Sequence, residues 1–186
     1  GNYQHTSSLE NPVADARLVA KTLRKLNFEV IERLDVKQKD MKRAINLFGE
    51  KLEASGGDAI GLFYYAGHGV QVEGQNYLIP VNAEINKESQ VDIESLNASF
   101  VMKTMEYSGS RINFVILDAC RNNPYKSGFR SGSRGLARIA APSGTLVAYA
   151  TSPGDVASDG HGVNSPDTRA LVEAMQKPGI PVEQVF

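Results

Sequence analysis

Cysteine occurs once in this chain of 186 residues, at Cys120, so no internal disulfide can brace the fold. No apolar stretch reaches the roughly 18 residues that a membrane-spanning helix requires. Charge of either sign is not in excess. The formal net charge is −1, which gives no reason to expect nucleic acid or an anionic membrane as a partner. There is no internal repeat and no low-complexity tract. The first residues are polar and carry no signal-peptide pattern, although a chain opening at Gly1 says nothing of what precedes it. His5 and His161 lie in polar, turn-rich segments with no second ligand spaced for a metal. Hydrophobic content of 41% and charged content of 22% are those of one globular domain able to bury a core. A lone thiol fits a reducing compartment such as the cytoplasm.

Two short motifs stand out, each closing an apolar run. Ile60-Gly61-Leu62-Phe63-Tyr64-Tyr65 leads into Ala66-Gly67-His68-Gly69, and Ile112-Asn113-Phe114-Val115-Ile116-Leu117 leads into Asp118-Ala119-Cys120-Arg121. Runs of this length, rich in branched and aromatic residues, read as buried parallel strands. A third is Thr145 to Ala150, a short strand is expected at Phe28–Ile31, and Gln75 to Pro80 reads as a hairpin arm after the Glu73-Gly74 turn. Helical stripes run from Pro12 to Leu26, with Asn11 as N-cap and Pro12 as first residue, and from Lys39 to Leu52. Further helices are expected over Leu96–Tyr107 and from Pro166 to Gln176. Residues 122–133 and 152–165 are rich in Gly, Ser, Asn and Asp and read as loops. Strands alternating with helices indicate an α/β three-layer sandwich with a mainly parallel sheet.

In such sheets the chemistry collects at the carboxyl ends of the strands. Neighbouring strands would bring the His68 imidazole and the Cys120 thiol to one rim. A thiol titrating near 8.5 is mostly protonated at neutral pH, and a nearby imidazole can take its proton. Glycine at 67 and 69 lets a substrate backbone approach and frees the chain to turn after the strand. The Gly69 and Cys120 amides could then hold a developing oxyanion. Each residue taken singly also fits a buried structural role; the two motifs together favour the dyad.

The stretches Tyr64-Tyr65-Ala66-Gly67-His68-Gly69 and Leu117-Asp118-Ala119-Cys120-Arg121-Asn122-Asn123-Pro124 resemble the caspase-like cysteine peptidases, most closely the metacaspase, orthocaspase and paracaspase branches. Leu9 to Ala16 and Asn164-Ser165-Pro166 extend the resemblance over almost the whole chain. It implies a caspase-like α/β/α sandwich, with His68 as general base and Cys120 as nucleophile of a peptide-bond hydrolase that needs no cofactor. Asp118 stands where those branches carry an acidic residue that lines the S1 pocket and selects Arg or Lys before the scissile bond (P1). Asp15 stands where metacaspases carry a second S1 carboxylate. Two carboxylates around a narrow pocket would attract a guanidinium and repel an acidic side chain; the alternative for Asp15 is a solvated charge in the first helical turn.

The departures carry expectations too. Ala66 replaces the serine that metacaspases often have two residues before the histidine. Val81-Asn82-Ala83 and Lys126-Ser127-Gly128 lack the aspartates of their calcium site, so no metal and no calcium activation are expected. The resemblance implies one domain over 1–186: a large-subunit-like part over about 1–125, a basic loop over 126–139 and a small-subunit-like part over 140–186. It also implies truncation at both ends, with an inner strand missing ahead of Gly1, which leaves room for self-association through an incomplete sheet edge. Lys126, Arg130 and Arg134 read either as a solvated basic loop or as sites of self-cleavage beside the nucleophile. The expected partners are protein or peptide substrates with Arg or Lys at P1. The competing reading is a catalytically weak or inactive caspase-like module that binds or assembles partners.

Overall fold

The computed structural model describes residues 1–120, 125, 136–150 and 162–179, with the backbone alone at Cys120. Among the described residues five strands form one sheet: β1 (Ile60–Val72), β2 (Gln75–Leu78), β3 (Leu96–Asn97), β4 (Ile112–Cys120) and β5 (Thr145–Tyr149). Their spatial order is β3-β2-β1-β4-β5. The long ladders, β1 with β4 and β4 with β5, are parallel. The short β2 and β3 continue the sheet as an antiparallel edge. This is the mainly parallel α/β sheet expected.

Helices cover both faces: α1 (Pro12–Lys25), α2 (Gln38–Ala54), the single turn α3 (Val91–Glu94), α4 (Ser99–Tyr107) and α5 (Pro166–Met175). Because side chains alternate along a strand, β4 feeds both layers. Ile116 packs with Val19 and Leu23 of α1 and Leu171 and Val172 of α5. Val115 and Leu117 pack with Ile45 and Leu52 of α2 and Met105 of α4. The α2–α4 crossing is tight, since a Cβ on Gly49 would stand 2.5 Å from Thr104 Cγ2.

Three local expectations are corrected. Asn11 occupies the cap position of α1, but its side chain makes no capping hydrogen bond. Leu96 and Asn97 pair with β2 instead of opening a helix, so α4 begins only at Ser99. Phe28–Ile31 joins no ladder. A cavity of about 240 Å³ lies between residues 28–36 and the first part of β1, walled by α1 on one side and α2 on the other. A strand exists only by virtue of a neighbour at hydrogen-bonding distance, and here a hollow takes the neighbour's place.

Candidate active site

The parallel register sets His68 opposite Cys120, the last pair of the β1–β4 ladder, and Ala66 opposite Asp118. Neighbouring strands lie roughly 4.8 Å apart, so the two backbones are one strand spacing apart at the carboxyl end of β4. The chain does not turn at Gly69, as the sequence suggested. β1 runs on to Val72, Gly69 faces Leu78 of β2, and the reversal comes at Glu73-Gly74, both with positive φ. Gly69 serves packing: a Cβ there would come within 3.0 Å of Ala119 Cβ and 3.1 Å of Leu136 Cδ2.

His68 is buried, 3% exposed, beneath the first nine residues. Its Nε2 lies 2.8 Å from the Ser7 carbonyl oxygen. A carbonyl can only accept, so Nε2 carries the hydrogen, and in the neutral ring Nδ1 holds the lone pair. The His68 backbone N–H donates to Tyr3 Oη at 2.9 Å, and the Tyr3 ring lies 4.5 Å from the imidazole. The Tyr65 hydroxyl donates to the His68 carbonyl at 2.8 Å. Gly67 makes room for both tyrosines: a Cβ at that position would fall 2.5 Å from Tyr3 Oη and 2.7 Å from Tyr65 Oη.

On the α1–α5 side of the sheet, Asp118 and Asp15 come together. One oxygen of Asp118, Oδ2, accepts from the hydroxyls of Thr168 at 2.9 Å, Tyr64 at 3.0 Å and Ser165 at 3.3 Å. One oxygen of Asp15, Oδ1, accepts from Asn164 Nδ2 at 2.9 Å and the Ser165 N–H at 3.0 Å. Asp15 is buried, 2% exposed, rather than a solvated charge on the first turn of α1. Burial lifts its carboxyl above the usual carboxylate range, the bonds from Asn164 and Ser165 oppose that, and the nearby Asp118 adds to it. Burial and Asp118 likewise push the Tyr64 hydroxyl upward. Neither carboxylate joins an ion pair among the described residues.

Sequence reasoning missed Tyr3, Ser7, Tyr64 and Thr168. Only Tyr64 left a signal, since strand alternation sets it on the same face as Leu62, toward α1 and α5. Lys126, Arg130 and Arg134 lie outside the described residues. Among the described residues no three His, Cys, Asp or Glu side chains are grouped to hold a metal ion, and no helix is long and apolar enough to cross a membrane.

A parallel sheet between two helical layers, with a histidine and a cysteine opposed on its central strands, defines a caspase-like α/β domain. The family model described as the caspase domain (peptidase C14) matches residues 1–186, and the chain belongs to that family. Membership supports cysteine-type peptidase chemistry in general. The chain is similar to the human mucosa-associated lymphoid tissue lymphoma translocation protein 1, at 31% identity over 120 residues. It is also similar to the mouse homolog of that protein, at 30% identity over 120 residues. Each match covers 64% of this chain and 14% of the relative's length.

Proposed function

We propose that the domain is a cysteine endopeptidase that cleaves after Arg or Lys. His68 Nδ1 takes the proton of the Cys120 thiol, and the thiolate attacks the scissile carbonyl carbon. The Gly69 and Cys120 amides are the proposed donors to the oxyanion; Cys120 stands in the last pair of the β1–β4 ladder and Gly69 just past it, opposite Leu78 of β2, so they serve as donors only where that end of the sheet opens. As the tetrahedral intermediate collapses, the C–N bond breaks and His68 returns its proton to the leaving amine. Water, deprotonated by His68, then hydrolyses the thioester and frees Cys120. The Ser7 carbonyl supports this role for the imidazole by fixing which ring nitrogen carries the hydrogen.

The observation that carries the basic preference is the pair Asp15 and Asp118, joined through Ser165, with no cation beside them among the described residues. Two gathered carboxylates are costly unless a positive group answers them, and a P1 guanidinium or ammonium does so. The test is cleavage of fluorogenic peptides ending in Arg, Lys or Asp by the wild type and by Cys120→Ala. Release from the Arg or Lys peptide alone, abolished by Cys120→Ala, is expected; release from the Asp peptide overturns the assignment. Under the same reading, residues 1–125 and 140–186 act as large- and small-subunit-like parts, and the loop with Lys126, Arg130 and Arg134 is a substrate for self-cleavage.

The burial of His68 favours a second reading, a module that binds or assembles partners without catalysis. An Arg-chloromethylketone that labels Cys120 in the wild type decides for the enzyme.

A further inference from the structure

The acidic pair is not simply two side chains in a hollow; it is held from outside by hydroxyl groups that the proposed chemistry does not use. We infer that Tyr64, Ser165 and Thr168 form a clamp that positions Asp118, and through Ser165 also Asp15, for a cationic P1 side chain. The inference rests on the basic-P1 reading above and extends it to residues that need not touch the substrate.

The three hydroxyls come from separate places in the chain: β1, the N-cap of α5 and the first turn of α5. All three converge on Oδ2 of Asp118. At Asp15 the bonds from Asn164 Nδ2 and the Ser165 N–H both go to Oδ1. A carboxylate offers about four acceptor sites over two oxygens. The three hydroxyl bonds to Asp118 thus all go to Oδ2, which leaves its Oδ1 turned to a ligand. A carboxylate held by one oxygen cannot swing, and a fixed acceptor loses less freedom when it binds a guanidinium.

Ser165 is the hinge pin of this arrangement. Its N–H holds Asp15, its hydroxyl holds Asp118, and its Oγ accepts the Thr168 N–H at 3.1 Å to cap α5. Tyr64 Oη and Thr168 Oγ1 also stand 2.8 Å apart. With Asp118 Oδ2 they form a triangle of three contacts served by two protons. Removing either hydroxyl breaks the triangle, so the two losses must not be additive.

The experiment uses the full chain with Thr168→Val, Tyr64→Phe, the double variant and Thr168→Ser, on the Arg peptide, beside thermal midpoints and the rate of Cys120 alkylation by iodoacetamide. KM should rise about ten-fold in either single variant, as loss of a hydrogen bond to a charged group implies. kcat and the alkylation rate should stay within about two-fold, and Thr168→Ser should restore KM. The double variant should raise KM by clearly less than the product of the single effects. KM unchanged in Tyr64→Phe, which keeps the ring and only removes an oxygen, overturns the clamp even if Thr168→Val fails to fold. A kcat that falls along with the thermal midpoint as KM rises also overturns it, in favour of a purely structural role. A wild type that cleaves neither Arg nor Lys peptides overturns the underlying reading as well, which separates the two failures.

Discussion

Asp15 is where stability and recognition pull in opposite directions. Its carboxyl is held above the ordinary range, first by burial and further by Asp118. The folded domain therefore binds that proton more tightly than the unfolded chain. The favourable contribution is complete below the unfolded value, and it is lost as pH rises through the folded value, because a buried carboxylate must then ionise. A P1 cation needs the ionised form, so KM for an Arg peptide should climb on acidification at a pH above that of a free aspartate. Asp15→Asn keeps an acceptor for Asn164 and Ser165 while removing the charge. It should match or exceed the wild type's thermal midpoint at neutral pH, raise KM roughly ten- to a hundred-fold and flatten the acid limb of the KM profile. A midpoint that drops with KM unchanged would show that the charge faces no ligand. At this scale the sequence was half legible. The register that opposes His68 and Cys120 could be read because each follows an apolar run, and the place of Asp118 on the same strand because it shares a motif with the cysteine. Thr168 could not, because nothing local marks it, and strand alternation gave the face of Tyr64 but not a partner 104 positions away.

At the level of single elements, the strands that proved easiest to read were those whose own residues decide their fate. Phe114–Leu117 is apolar on both sides because helices cover both faces of the sheet, and that doubled burial writes an unbroken apolar run into the sequence after Asn113. Phe28–Ile31 has the composition of a strand, yet composition cannot supply a ladder partner. The start of α4 was misplaced for a similar reason, since Leu96 is claimed by β2 before any helical turn can form. The helix itself is held by one face. Met105 is fully buried and Tyr107 is 82% exposed, so the two should respond very differently to truncation. Met105→Ala should cost about 2–5 kcal/mol, and Tyr107→Ala no more than about 0.5 kcal/mol. Urea denaturation of the two variants would check this; equal losses would mean that α4 is not seated as described.

Across the whole molecule, the sheet is solid on one side of β1 and hollow on the other. β4 is paired along both edges over Asn113–Leu117. β1 over residues 60–66 is paired to β4 on one edge and faces the cavity of about 240 Å³ on the other. Successive backbone groups of a strand point to opposite neighbours, so alternate amides of this stretch face the cavity. Amide hydrogen exchange followed by NMR should therefore show alternating protection over 60–66 and uniform protection over 113–117. Uniform slow exchange in both stretches would mean that the hollow is closed in solution. Layer order and strand direction were legible in the sequence, because they follow from the alternation of element types. The hollow was not, because it is defined by the distance between segments that look complete when taken separately.

The segment over His68 folds back on itself, with the Leu9 N–H donating to the Gly1 carbonyl. Ser7 and Tyr3 are carried on this segment, so the aim of the imidazole is governed by a piece of chain that contributes nothing to the sheet. Moving that segment would leave every described strand in place and yet release the hydrogen bond that, in the proposed mechanism, fixes the tautomer of His68.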